Sequence, residues 1–396
     1  MTQTNTKTRI LFIPSTHSGG VYFYRCYTPM LDISKRYENE FDITINGTYT
    51  FTDAQKDEIG RNYDIVWFHN CLYTSAIQDE VWKTIVYCKK TYGTVFLLDL
   101  DDYWEYHKNH PAVDACRFNA FPHKMMINFE LFDYVTTTTE YFKSVISNYF
   151  PAEKVYVFEN AISLSDKQFT AEKTPSNLLR IGLAGGSSHT EDIKQLMDMS
   201  KYMTDKQLEQ IEFVLCGFDS RGEKIDVDEN GKIIGRKPLE DKDNWWVQIE
   251  KHFKSKFKNY RRVEAKDIVK GEFGGVYKDI DVLLVPLVNN QFNRCKSELK
   301  FIESGFSSTA VIASKVIPYE NYGVNNETCL FVSKPEPSEW AKAIKKLLRD
   351  KELRCRIAFN NAANVLKYRN IERIGDKRVK FLRKIMSKHV NNDKLR

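Results

Sequence analysis

Apolar runs of strand length recur along this chain with amphipathic stretches of helical length between them, and a parallel sheet with helices on both faces satisfies that alternation. In the first part the runs are 9–14, 41–46, 64–69, 94–99, 134–138 and 155–159, while 21–37, 76–91 and 139–148 read as the helices between them. A polar stretch containing Pro175 then breaks the pattern over 161–178 and reads as a linker. Beyond it the alternation restarts at 179–185, 211–217, 281–287, 310–314 and 330–333. The expected fold class is therefore α/β, with two Rossmann-like doubly wound domains. Sheets of this kind bind ligands at the carboxyl ends of their strands, so a crevice is expected between two such edges. The predicted boundaries are 1–160 for the first domain, 161–178 for the linker, 179–370 for the second domain, and 371–396 for a basic carboxyl-terminal helix packing back on the first.

Length agrees with that division, because 396 residues exceed what one hydrophobic core usually supports. The opening MTQTNTKTRI is polar, and no apolar run approaches the roughly 20 residues a spanning helix needs. A cytoplasmic protein without a transmembrane segment is expected. The eight cysteines are scattered with no C-x-x-C pair, which points to buried thiols rather than zinc or redox work. Basic residues cluster in KSKFKNYRR (254–262) and towards the carboxyl terminus. They read first as solvated helix faces, with peripheral contact to anionic lipid or to nucleic acid as the alternative. Between 219 and 244 an insertion carries ENGK between apolar alternations, a hairpin signal.

Four segments carry residues suited to chemistry. In THSGGVYFYR the pair Gly19-Gly20 follows the first strand and precedes a helix, where backbone can approach a ligand. In LLDLDDYW the carboxylates Asp101 and Asp102 follow the fourth strand, where they can orient sugar hydroxyls or accept a proton; the competing role is a helix cap. IGLAGGSSHTEDI runs from a strand into Gly185, Gly186, Ser187 and Ser188 before a helix starts near Thr190, an arrangement that can cradle a diphosphate with His189 adding a hydrogen bond. In NQFNRCKSELKFIESGF, Lys296, Lys300 and Glu303 have the spacing of one helix face, with the lysines suited to phosphate and the carboxylate to the two hydroxyls of a ribose.

Taken in order, these segments resemble the group-1 family of GT-B glycosyltransferases over nearly the whole chain. GGVYFYRCYTPML is similar to that family's glycine turn followed by Tyr, Arg and Pro, which implies that Gly19, Gly20 and Arg25 lie on the acceptor side. LDLDDYW resembles a variant with an Asp-Asp-x-Trp element, and FENAI the segment that makes Asn160 a site candidate. AGGSSHTED and FNRCKSELKFIESGF resemble the phosphate loop and donor helix of one subset. The resemblance implies Glu303 as the ribose carboxylate, with Lys296, Ser297 and Lys300 near the diphosphate. Eight positions before Glu303, where the family carries a second acidic residue, stands Cys295. The family's usual Arg and Lys after the strand at 179–185 are also missing, which turns Arg294, Lys296 and Lys300 into their substitutes.

The expected function is transfer of a sugar from a nucleotide-sugar donor, held by the second domain, to an acceptor held by the first. Asp101, Asp102, Lys296 and Lys300 are the candidate catalytic residues. Gly185, Gly186, Ser187, His189, Arg294, Ser297 and Glu303 are the candidate donor-binding residues. The resemblance implies retention of anomeric configuration. Leaving-group charge would be met by lysines and helix amino termini, so neither a metal nor another cofactor is expected. The acceptor is left open among glycan, lipid-linked glycan and nucleic acid. Two rival functions remain: a glycosyltransferase acting on a base of modified phage DNA, admitted by Tyr260 within the basic stretch, and a sugar-nucleotide-binding scaffold without turnover, admitted by Cys295.

Overall fold

The computed structural model describes residues 7–393 apart from 111, 171, 187–188, 218–222 and 229–232. The chain divides into two units. The first comprises Met1–Asp166, Asn290–Ile302 and Val365–Arg396, and the second Lys167–Asn289 and Glu303–Asn364.

The first unit is built on β1 (Thr8–Ile13), β2 (Phe41–Ile45), β3 (Ile65–His69), β4 (Val95–Leu100), β5 (Tyr134–Thr137) and β6 (Val155–Val157). Their order is β2-β1-β3-β4-β5-β6 and every neighbouring pair is parallel. Strand residues alternate between two buried faces, as a doubly covered sheet requires. Leu11, Ile13, Val66, Phe68, Phe96 and Leu98 meet the helices Asp53–Asn62, Ser75–Tyr92 and Phe121–Leu131. On the opposite face, Ile10, Phe12, Ile65, Trp67, Val95 and Leu97 meet the helices Thr28–Arg36 and Ile371–Asp393. The last helix is fixed through Ile374, Phe381, Leu382 and Ile385, each fully or almost fully buried. Burying a side chain of this kind is worth about 1.5–3 kcal/mol. Two of its basic side chains pair within the unit, Arg383 with Glu40 at 2.7 Å and Lys377 with Glu159 at 2.9 Å.

The second unit contains β7 (Leu179–Gly185), β8 (Ile211–Gly217), β9 (Glu223–Val227), β10 (Ile233–Pro238), β11 (Asn259–Glu264), β12 (Val282–Val285), β13 (Ala310–Ser314) and β14 (Leu330–Val332). A parallel sheet runs in the order β11-β8-β7-β12-β13-β14, and β9 pairs with β10 in a separate antiparallel hairpin. The ENGK tetrapeptide lies outside the described residues. One face of the parallel sheet packs Ile181, Leu183, Phe213, Leu215, Leu284 and Ile312 against the helices Trp245–Lys256 and Pro337–Arg349. Asn244 starts the first of these by accepting from the N–H groups of Trp246 and Val247.

One strand corrects the sequence reading. The basic stretch 254–262 is not one solvated helix face, because the helix ends at Lys256 and β11 follows as an edge strand on β8. Arg261 faces Glu212 and Asp279 at 3.0 and 3.2 Å, and Arg262 pairs with Glu250. Acidic neighbours make NYRRVE tolerable in a sheet despite its lack of an apolar run.

Strand order reverses once in each sheet: between β1 and β3 in the first, and between β7 and β12 in the second. Outside the carboxyl ends of strands at such a reversal, two loops diverge and leave room for a ligand.

Candidate active site

At the reversal in the first sheet, three side chains from the ends of β1, β3 and β4 form a hydrogen-bonded chain. Ser15 Oγ is 2.8 Å from His69 Nδ1, and His69 Nε2 is 3.1 Å from Asp101 Oδ1. His69 is 1% exposed while Ser15 lies at the surface. Burial alone would lower the imidazole's pKa, but the Asp101 carboxylate outweighs it and raises the value above 6.5. Asp101 in turn is held down to about 2: burial opposes this, and His69, Arg25 and Lys296 prevail. Directly after His69 the backbone takes two successive left-handed residues, Asn70 and Cys71. That costly turn is held by Asn70 N–H donating to Asp99 O and by Asn128 Nδ2 donating to Cys71 O, at 2.8 and 2.9 Å. The imidazole is thereby fixed at the sheet edge.

The resemblance implies Arg25 on the acceptor side, and the structure places its side chain in the buried interior of the first unit. Arg25 sits in a wide helical turn, Tyr22–Tyr27, whose closing bond runs from Thr28 N–H back to Phe23 O. This turn carries Arg25 inward, where it is 2% exposed. Its guanidinium donates to both oxygens of Asp99 at 3.0 and 2.6 Å, to Phe158 O at 2.6 Å and to Asn160 Oδ1 at 3.1 Å. Asn160 Nδ2 continues the chain to Ser297 Oγ at 2.9 Å. Arg25, Asp99 and Asn160 thus form one buried tie, which ends at the partly exposed Ser297. The glycines before Arg25 are different. Gly19 has φ +73, and a side chain there or at Gly20 would meet open space or only Tyr24.

The expected single helix face carrying Lys296, Lys300 and Glu303 does not form. Gln291–Arg294 and Leu299–Phe306 are separate helices, and Lys296 lies in the turn between them. Asn290 Oδ1 caps the first by accepting from Asn293 N–H at 2.8 Å, and Phe292 and Cys295 are buried in the core of the first unit. Glu298 is anchored by Arg369 Nε at 2.6 Å. With those anchors set, Lys296 Nζ meets Asp102 Oδ1 at 3.1 Å and lies over the Phe292 ring. Arg294 and Lys300 remain partly exposed.

In the second unit, β7 ends at Gly185, and Gly186 has open space where a side chain would sit. Ser187 and Ser188 lie outside the described residues. The helix expected next is a single turn, Thr190–Ile193, too short to present much of a dipole. What the loop offers instead is a clasp. His189 Nδ1 is 2.8 Å from Asp192 Oδ2, and Asp192 Oδ1 accepts from Val288 N–H at 2.6 Å. Asp192 therefore joins the loop after β7 to the loop after β12 and fixes the His189 ring, so a ligand would meet Nε2. Glu303 is 1% exposed and accepts from Tyr277 OH at 2.5 Å. Burial and the adjoining carboxylate raise the Tyr277 phenol well above its ordinary pKa.

The structure therefore brings together Asp102 with Lys296, and Arg25 with Asn160 and Ser297, while His189 stands at the other reversal. Sequence reasoning missed Ser15, His69 and Tyr277. The signal for His69 was present in DIVWFH, an apolar strand ending in a titratable residue at the edge where ligands bind. Tyr277 had none, since FGGVYKD carries no periodicity. Among the described residues, no helix is long and apolar enough to cross a membrane.

No protein-family model matches the chain, and no curated protein matches it. Solved structures do. Sucrose-phosphate synthase from Thermosynechococcus elongatus aligns with a TM-score of 0.68 at 13% identity, covering 96% of this chain and 100% of that one. HepE of Anabaena, in complex with UDP and glucose, aligns with a TM-score of 0.64 at 12% identity over 95% of this chain and 100% of that one. A glycosyltransferase from Rickettsia africae gives 0.65 at 14% identity over 96% and 99%. With two parallel six-stranded sheets matched along almost the whole chain, the fold is that of the GT-B glycosyltransferases.

Proposed function

We propose that this chain transfers a sugar from a nucleotide-sugar donor to an acceptor hydroxyl, as a retaining glycosyltransferase of the group-1 kind. The observation that carries the reading is the reversal point of the second sheet, where Gly185, Gly186 and the His189–Asp192–Val288 clasp gather beside β7 and β12. HepE, a structure of the same fold, holds UDP and glucose, which makes a uridine diphosphate sugar the first donor to try. On this reading the backbone at Gly185-Gly186 meets the departing diphosphate, and Lys300 and Arg294 remain the candidate cations that the family resemblance implies. The acceptor binds at Gly19-Gly20 and the Ser15–His69–Asp101 edge. Cations and amides carry the leaving charge, so turnover needs no metal.

Two experiments bear on this. Thermal unfolding with UDP, ADP and GDP should show a stabilising shift with one of them, because a ligand bound to the folded state stabilises by mass action. Incubation with the matching nucleotide sugar should release free nucleotide diphosphate and should survive exhaustive chelation. Absence of both shift and release across the common nucleotide sugars would sink the transferase reading, and strict dependence on added magnesium or manganese would sink the metal-free one.

A second reading, a sugar-nucleotide-binding scaffold, draws support from Cys295, which is buried among Phe292 and the aromatic core. A nucleotide-induced shift without any release would favour it. The reading as a transferase acting on nucleic acid loses its main support, because Arg261 and Arg262 face carboxylates within the second unit.

A further inference from the structure

The second unit has a cavity of about 450 Å³ at the edge of its sheet opposite to Gly185. Leu179, which opens β7, lines it, as does Asp281 just before β12. Six residue steps of about 3.3 Å along β7 put this edge roughly 20 Å from the donor loop. The volume lies in the range of small-molecule sites.

The charge of the lining is one-sided. Lys173, Lys351 and Arg354 are its cations, and Asp281 is its one carboxylate. Asp281 is already neutralised: Arg180 donates to it from its backbone N–H, Nε and Nη2 at 2.9, 3.1 and 2.8 Å. None of the three cations forms an ion pair among the described residues. Lys173 donates to Tyr277 O, Ile280 O and Thr309 Oγ1, so it contributes charge rather than a free donor. Burial lowers its pKa to about 8, against the weaker pull of the Asp281 and Asp279 carboxylates. Lys351 and Arg354 line the cavity from the first turn of the helix Lys351–Tyr368, with Arg354 donating to Leu347 O through one nitrogen. Ser176, Asn177 and Gln210 add polar groups.

We infer that this cavity binds a phosphate group, carried by a soluble small molecule or by a lipid headgroup, with Lys351 and Arg354 contacting the phosphate and Lys173 adding positive charge behind it. The site is separate from the donor edge and independent of the transferase reading.

Cys355 makes the test local. It lines the cavity and is exposed, while the other seven cysteines are buried. The rate of Cys355 alkylation by iodoacetamide, read by mass spectrometry, is measured against inorganic pyrophosphate. At about ten times its Kd, mass action leaves about one site in ten open, so the rate should fall about tenfold. In a Lys351→Gln, Arg354→Gln double variant, whose fold is checked by the continued protection of the buried cysteines, affinity should fall about tenfold or more. Phosphatidylglycerol vesicles form a second arm: slowing by vesicles alone identifies a lipid headgroup as the phosphate source, and slowing by pyrophosphate identifies a soluble one. If neither slows alkylation, or if the double variant is protected as well as the wild type, the inference is overturned.

Discussion

Lys296 Nζ lies 3.1 Å from Asp102 Oδ1, joining residues 194 positions apart. Two side chains that the sequence suggests as separate participants in chemistry are thus a pair inside the first unit. The side chains are 18% and 40% exposed, so the pair is expected to contribute only about 0.2–1 kcal/mol to stability. Lys300 then becomes the stronger candidate for the leaving diphosphate. Lys300→Met is expected to reduce turnover by about a hundredfold, the usual effect of losing one group that stabilises developing charge. Lys296→Met and Asp102→Asn should each fall short of that and resemble one another. A collapse of turnover in Lys296→Met with normal turnover in Asp102→Asn would restore Lys296 to the phosphate.

His69 and Asp101 give a pH signature. The His69 pKa is raised, so its share of stability is complete below about 6.5 and fades as pH rises through the folded value. Asp101 is depressed to about 2 from 3.8, so its share is present above about 3.8 and is lost as pH falls towards 2. The stability difference between wild type and Asp101→Asn should therefore be largest from about pH 4 to 6.5. Nitrogen-15 imidazole titration should also show the His69 pKa falling in the variant, because burial then acts with less opposition. An unchanged His69 titration would remove Asp101 as its partner.

Glu303 and Tyr277 test the donor carboxylate. If Glu303 holds the ribose, Glu303→Gln should weaken nucleotide binding by about 1.5–3 kcal/mol, the worth of charge-assisted hydrogen bonds. Tyr277→Phe removes the phenol from a buried carboxylate and should cost about 1–3 kcal/mol of stability in denaturant unfolding. Calorimetry that finds the same nucleotide affinity in a folded Glu303→Gln protein would confine this carboxylate to the core.

Arg25 should prove a residue of folding rather than of turnover. Removing one partner of a buried ion pair leaves the other uncompensated and typically costs about 3–5 kcal/mol. Arg25→Met is expected to lower the free energy of unfolding of the first unit by an amount of that order, read from denaturant unfolding. A stable Arg25→Met protein with lost activity would return Arg25 to the acceptor side.

Much of the architecture was legible because both sheets are covered on two faces, and buried parallel strands such as IVWFH and LRIGLAG are mostly apolar, with His69 and Arg180 as their polar members. β11 was not, since it lies at an edge and its arginines are answered by Glu212, Asp279 and Glu250, which the sequence places far away. Among the candidate site residues, the position of Gly19, Gly186 and His189 after a strand was legible in the sequence. The placement of Arg25 and Lys296 was not, because it depends on partners distant in sequence. The inward turn at Tyr22–Tyr27 and the break at Cys295–Glu298 arise from that tertiary packing. Helical spacing alone contains neither.

The helix Ile371–Asp393 has a consequence for synthesis on the ribosome. Arg383 and Glu40 are 343 positions apart, yet both belong to the first unit. At about 5–20 residues per second, the interval between their appearances is roughly 20–70 s. Throughout it, the face bearing Ile10, Phe12 and Trp67 has the helix Thr28–Arg36 but lacks its second cover while the whole second unit is being translated. The nascent chain must be kept from aggregating through that face, and the unit whose synthesis begins first is the last to be completed.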